Sequence, residues 1–420
     1  MLPAETAPAV TALGLPALRR RVQAVLIISQ ILGGLGIAIG VALASVLAKD
    51  VSGTEALSGL ASTATVVGTA LLAMPLAALM NSRGRRAGLV LAYLLGALGA
   101  AVVVLGAVAD SFPLLLLGLV GFGAGSSANL AARFAAADLA EPERRGRAIS
   151  TVVWATTIGA VLGPNVAAPA GRSVAALGIP VAAGPFVWAT GVFLLAAALM
   201  AVLLRPDPLL TARALAGPAE REKPGGHSLR AGMRAVRDSP RARLALVTVA
   251  ASHTAMVSIM SMTPVALSHH GAGIELIGLV ISGHIAGMYA FSPVMGWLSD
   301  RLGRLSVIGL AVGLLAAAAL LAGTAGPSHG RTAAGLFVLG LGWSAGLVSG
   351  SALLTDSVPQ AARAAVQGLS DFTMNTAAGL GGLLAGLIVA KAGYGWLNLA
   401  GACLLLPMAA LAVRGAVRRG

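Results

Sequence analysis

Apolar residues in this chain neither alternate nor keep to one helical face. They run for twenty residues or more, stop at a charge, proline or glycine, and start again. A helix needs about 20 apolar residues to cross the hydrocarbon core of a bilayer. Dividing the chain at its polar punctuation predicts twelve such helices. Six span 22–48, 57–80, 88–109, 112–137, 149–170 and 185–204, and six span 244–268, 274–298, 306–325, 333–355, 366–390 and 394–413. Most turns between them are short. The exception is 205–243, with nine basic and four acidic residues and prolines at 206, 208, 218, 224 and 240. The pattern therefore predicts an all-α membrane protein: a six-helix half at 1–204, a polar linker at 205–243 holding a short amphipathic helix near Ser228–Arg237, and a second six-helix half at 244–420.

Composition agrees. The chain is 57% hydrophobic and 10% charged, against about 25% charged in a soluble domain. Glycine is abundant at 55 residues, which suits helices that associate in lipid by close packing. The net charge of +14 does not mark a nucleic-acid surface. Of the 29 Lys and Arg, 24 fall in segments on one side of the predicted bundle; Lys49, Arg172, Arg331 and Lys391 fall on the other, and Arg133 lies inside a helix. That bias is the positive-inside rule. With an even number of spans, it places both termini in the cytoplasm and the protein in the inner (plasma) membrane. The apolar run after Arg19–Arg21 exceeds the 7–15 residues of a cleaved signal core. A single cysteine, Cys403, permits no internal disulfide and no multi-thiolate metal site.

The two halves are related. The turn Gly296-Trp-Leu-Ser-Asp300-Arg301-Leu-Gly303-Arg304 is a variant of Ala77-Ala-Leu-Met-Asn81-Ser-Arg83-Gly84-Arg85-Arg86, 219 residues earlier. Gly121-Phe-Gly123 recurs as Gly340-Leu-Gly342 at the same offset, and Asp138 with its following prolines and arginines recurs as Asp356 at 218. Internal duplication in an apolar chain is the common architecture of solute carriers.

These residues resemble the major facilitator superfamily. The turn from Gly296 to Arg304 looks like the signature that family carries between helices 2 and 3 and, in weaker form, 8 and 9. Here the fuller copy is the second; the first has Asn81 for the acid and Ala77 for the glycine. Gly159-Ala-Val-Leu-Gly163-Pro164 in helix 5 looks like the antiporter motif of the superfamily's drug/proton exporters. The resemblance implies two pseudo-symmetric halves of six helices that rock about a shared site, with a small-molecule solute, protons and the lipid bilayer as partners. It implies no cofactor, no bound metal and no nucleic acid, and a monomer.

Candidate residues follow. Asp300, Arg301, Gly303 and Arg304, with Asn81, Arg85, Asp138 and Asp356, form a candidate cytoplasmic gate; the plain alternative is that the arginines only set topology. Ionisable groups inside spans are costly, so Asp371, His253 and His284 are candidates for proton coupling. Asp371 heads them, with a structural aspartate bonded to backbone or to Arg363 as the alternative. Arg133 reads first as a partner of Asp138, otherwise as a solute contact. Gln30, Asn129, Arg133, Asn165, Met256, Met260, Met288 and Asn375 are candidate cavity residues, and Trp154, Trp343 and Phe372 offer rings for stacking. His and Met stripes at helical spacing on helices 7 and 8 also admit a metal exporter; flexible apolar packing is the commoner use. Gly159 and Gly163 read as a pliable contact between halves or as simple close packing. No nucleotide-binding or hydrolase signature occurs, so the chain reads as a non-enzyme. The expected function is proton-coupled efflux of a small apolar or amphipathic solute. The alternatives are uptake, facilitated diffusion, metal export and a non-transporting sensor.

Overall fold

The structure, a computed structural model, describes residues 14–54, 57, 59–215 and 229–417. Arg418 and Arg419, two of the terminal charges, lie outside the described residues, as does the side chain of Pro164. No strand occurs among the described residues. Six long helices come first: α1 (Leu15–Ser52), α2 (Gly59–Arg83), α3 (Arg85–Val108), α4 (Phe112–Asp138), α5 (Arg145–Ser173) and α6 (Gly184–Leu203). Two short ones, α7 (Pro208–Leu215) and α8 (Leu229–Asp238), lie in the linker, the second where an amphipathic helix was expected. Then follow α9 (Pro240–His269), α10 (Ile274–Tyr289), α11 (Ser292–Leu302), α12 (Arg304–Gly323), α13 (His329–Asp356), α14 (Arg363–Ala392), α15 (Tyr394–Cys403) and α16 (Leu406–Val417).

Among the described residues eleven helices are long and apolar enough to cross a membrane, and a bent pair that takes in α5 makes up to twelve. The bend, 56° between Pro142–Gly163 and Asn165–Leu177, falls at Pro164, where the ring removes a backbone donor. The eighth predicted span is two helices, α10 and α11, parted at Ala290–Phe291; the twelfth is α15 and α16, parted at Leu404–Leu405. Apolar length alone does not reveal such breaks. Several starts carry local signals: Ser239 accepts the N–H of Ala242 at 3.2 Å, Ser328 that of Arg331 at 3.4 Å, and Pro240 opens α9 where a missing donor costs nothing.

Two compact units arise, and each takes in a short stretch of the other repeat. The first gathers 1–140, 155–232 and 359–372: α1 to α4, most of α5, α6, α7 and the opening turns of α14. The second gathers 141–154, 233–358 and 373–420: the opening turns of α5, the helices α9 to α13, and the remainder of the chain. Inside the first unit an aromatic core forms where Phe193 meets Tyr93 and Phe122, with ring centroids 6.0 and 5.5 Å apart, and Phe122 meets Phe186 edge-on at 5.4 Å. All four are fully buried. Helices α3 and α4 touch backbone to backbone, since a Cβ on Gly99 would strike Gly121 and the amide of Phe122.

Gly99→Leu is therefore expected to destabilise the protein by about 1–3 kcal/mol through overpacking, read as a lower thermal midpoint in detergent. Gly191→Leu is the control, because a Cβ there meets nothing within 4 Å. Equal midpoints would show that the α3–α4 contact tolerates side chains.

Candidate functional site

The duplicated turns build duplicated ion pairs. In each, a glycine with positive φ (Gly84 at 91°, Gly303 at 88°) lets one helix end and the next begin at once. The arginine that follows then lies against the acid that ends the fourth helix of its own repeat. Arg85 binds both oxygens of Asp138, at 2.7 and 3.2 Å, with both side chains buried. Its counterpart Arg304 binds Asp356 at 3.2 Å. Of the candidate gate residues, Arg85 is the one whose guanidinium lies against Asp138.

Each turn also reaches a helix of the other repeat within its own compact unit. Asp300 accepts the N–H groups of Gly146 and Arg147, both at 2.9 Å, at the start of α5. A carboxylate there satisfies orphan donors and faces the positive end of the helix dipole. Arg304 pairs with Asp300 as well and donates to the carbonyl of Pro142 at 2.6 Å, while Arg145 pairs with Asp356. In the first unit Arg85 donates to Oε1 of Gln367, on the opening turns of α14. Arg301 takes no part in this cluster; it lies over the ring of Trp297, 5.2 Å from its centroid.

The first turn departs from the motif at two positions, and the structure supplies a replacement for each. Asn81 has no carboxylate to offer. Arg213, on α7, donates to the Asn81 backbone carbonyl at 2.7 Å and to its side-chain oxygen. The nearby Asp207 carboxylate accepts the N–H of Arg86 at 2.7 Å and caps α7 through Leu209 and Leu210 at 3.0 and 3.1 Å. The linker thus staples the first turn. The readable signal was Asp207-Pro208, a cap residue followed by a proline at the first helical position; nothing in the sequence pointed it at α3. Ala77, the other departure, faces Gly368 on α14. In the second contact Gly296 faces Ser150 on α5. Gly368 and Ser150 are equivalent at the 218-residue offset, so one tight crossing is made twice with the glycine on opposite partners.

One buried ion pair has no counterpart. Arg133 on α4 donates to Asp371 on α14 at 2.6 Å, with side chains 2% and 8% exposed. This corrects the expectation that Arg133 pairs with Asp138, whose two oxygens belong to Arg85. Residue 133 lies one turn and a half before 138, and its side chain leans back along the helix, away from that end. Arg133 also donates to the Leu130 carbonyl at 2.6 Å and lies 4.4 Å from the centroid of Phe134. The equivalent positions hold Ser351 and Val153. A cavity of about 20 Å³, lined in part by Met80, Arg85, Ser127, Gln367 and Asp371, adjoins the pair and has room for one water.

The remaining candidates scatter. Gln30 donates to Thr156 at 2.8 Å, and Asn129 accepts from Tyr93 at 2.9 Å, which ties these amides into the first unit. Asn165 is exposed and bonds the Val161 carbonyl of its own helix at 2.6 Å; Asn375 is buried. Gly159 and Gly163 face Gly34, Leu35, Ala38 and Ile39 of α1, so this motif packs helices of one repeat rather than joining the two. His284 is fully buried, with Nδ1 2.8 Å from the Leu336 carbonyl. His253 accepts the indole N–H of Trp343 at 2.9 Å. Met256 and Met288 are buried and Met260 half-buried. No group of three His, Cys, Asp or Glu suited to a metal converges among the described residues.

The chain is similar to known carriers over more than nine-tenths of its length. The sequence profile of the Major Facilitator Superfamily matches residues 25–275 and 244–419. The MFS-type transporter YdeG of Bacillus subtilis is 39% identical over 390 residues, 93% of this chain and 90% of that protein. The riboflavin transporter RfnT of Brucella anthropi is 29% identical over 394 residues, 93% and 94% of the two chains. Among solved structures, the proton:xylose symporter XylE superposes with a TM-score of 0.75 over 95% of both chains at 16% identity, a likeness of fold.

The swapped crossing is testable. Gly368→Ser is expected to lower the thermal midpoint, because the side chain would strike Ala77. Adding Ala77→Gly should restore most of the loss by reproducing the Gly296/Ser150 arrangement. Additive losses in the double variant would refute the equivalence.

Proposed function

The chain belongs to the Major Facilitator Superfamily, and from that membership we propose a secondary active transporter that exports a small apolar or amphipathic organic solute in exchange for protons. The observation that carries this reading is the Arg133–Asp371 pair. The Arg85–Asp138 pair at the first turn has its duplicate in Arg304–Asp356 at the second, as a shared gate requires. The Arg133–Asp371 pair is single, buried, and joins a helix of the first repeat to a helix of the second. Breaking a buried pair by removing one charge costs about 3–5 kcal/mol. A proton taken up by Asp371 therefore releases Arg133 from a strong constraint, and a proton lost restores it. The water-sized cavity beside Asp371 gives that proton a step in its path.

In this reading 1–204 and 244–420 are the moving halves, joined by 205–243, with both termini in the cytoplasm and the protein in the plasma membrane. The Asp300 contact with the start of α5 and the Arg133–Asp371 pair are closing contacts on the cytoplasmic side, and both must part before the solute enters from there. The helix-5 motif of Gly159, Gly163 and Pro164 favours export over uptake. An organic cargo is supported by the relative named for riboflavin, itself an amphipathic molecule.

Two measurements test the reading. Asp371→Asn is expected to abolish proton-driven solute flux in vesicles while sparing solute exchange; undiminished gradient-driven flux removes Asp371 from coupling. Asp300→Ala is expected to expose cytoplasmic-side positions, read as faster labelling of cysteines placed there in a Cys403-free background. Labelling at the parent rate discards the gate.

A further inference from the structure

Outside the ion pairs, the second unit holds a side-chain cluster without a structural duty that accounts for it. Helix α13 carries Gly340, Trp343 and Gly346 three residues apart. A Cβ on Gly340 would strike the backbone of α10 at His284–Met288, and one on Gly346 would strike Ser252 of α9. Both helices therefore close tightly on α13 on either side of Trp343. Tyr289 arrives from α10, its ring 5.5 Å from that of Trp343 at 80°, and His253 arrives from α9 to accept the indole N–H. Trp343 is 3% exposed and locked; Tyr289 and His253 are half-buried, so each has a surface in the open. The Tyr289 hydroxyl makes no hydrogen bond among the described residues.

Backbone geometry marks the same place. Tyr289 closes α10 within a span that runs from Leu276 to Leu302, and the Ser292 hydroxyl lies there between the carbonyls of Tyr289 at 2.7 Å and Ser150 at 3.0 Å. The first repeat offers a contrast: its aromatic residues, Tyr93, Phe122, Phe186 and Phe193, are fully buried and packed on one another.

We propose that the solute site lies on His253, Tyr289 and Trp343, and that the solute class is a planar aromatic or heteroaromatic molecule. This rests on the transporter reading above. The buried Trp343 holds the Tyr289 ring near a right angle to its own, and a flat solute stacks on the open side of Tyr289 in the geometry aromatic pairs prefer. Met256, Met260 and Met288 on the flanking helices supply compliant apolar contacts, and the Tyr289 hydroxyl supplies a hydrogen bond to a ring heteroatom or carbonyl.

The test is equilibrium fluorescence titration of the purified full chain in detergent with three flat probes: neutral acridone, cationic proflavine and anionic 9-anthracenecarboxylate. The parent is expected to bind at least one of them. Tyr289→Leu and Trp343→Ala should each weaken that probe about tenfold, while Trp343→Phe, which keeps a ring, should lose less. Thermal midpoints identify any variant that fails to fold; Tyr289→Leu, at a half-buried position, keeps the test open if Trp343→Ala does not. No binding of any flat probe to the parent, or parental affinity in the folded variants, overturns the proposal. The titration needs no ion gradient, so its failure is separable from that of the transport reading. Ring-dependent binding without proton-driven flux would sink the coupling and leave the site, and flux with ring-independent binding would do the reverse.

Discussion

A charge inside an apolar bundle has no water to turn to, and this structure is organised by that constraint. Arg85, Arg133, Asp138, Asp300 and Asp371 are all withdrawn from solvent, and each meets an opposite charge or a row of backbone N–H groups. Unpaired, any of them is costly. The pairs therefore decide which helices sit together. Arg85 fixes the end of α4 to the start of α3, Asp300 fixes the turn after α11 to the start of α5, and Arg133 fixes α4 to α14. The compact units follow these bonds rather than the chain's midpoint: the opening turns of α5 and α14 each belong with helices of the opposite repeat.

Duplication gives a way to sort these contacts. Where both repeats make an interaction, as Arg85–Asp138 and Arg304–Asp356 do, the fold has inherited it twice and needs it twice. Where the residues changed but the contact survived, as at Ala77/Gly368 and Gly296/Ser150, packing was conserved and its authorship moved across the interface. Where a carboxylate was lost, at Asn81, the linker brought Asp207 and Arg213 to the same turn. An interaction whose equivalent positions carry no charge in the other repeat stands apart from this scheme. Arg133–Asp371 is of that kind.

The sequence was legible wherever physics acts over short range. Apolar run length marked the spans, and offsets of 219 and 218 paired Gly84 with Gly303 and Asp138 with Asp356. What it did not disclose was direction in space. Arg133 and Asp138 are five residues apart and were natural partners on paper, yet the true partner of Arg133 is 238 residues away. The linker's polar composition concealed a cap that serves another helix. The breaks at Ala290–Phe291 and Leu404–Leu405 fall within apolar sequence that reads as continuous. The glycines of helix 5 announced a close approach without saying to which helix, and the answer was α1.

The same reasoning bears on why one repeat and not the other presents open rings. At the 219-residue offset, Trp343-Ser344 corresponds to Ala124-Gly125. A Cβ on Gly125 would strike the ring of Phe193, so in the first repeat an aromatic from α6 fills the space beside the fourth helix and seals it. In the second repeat the large ring belongs to α13 itself and is buried, and it is its neighbours Tyr289 and His253 that stay half-buried. Equivalent backbones carry a closed core on one side and half-buried rings on the other. Tyr289 thus stays half-buried where the first repeat shows that the same scaffold accepts a sealed core.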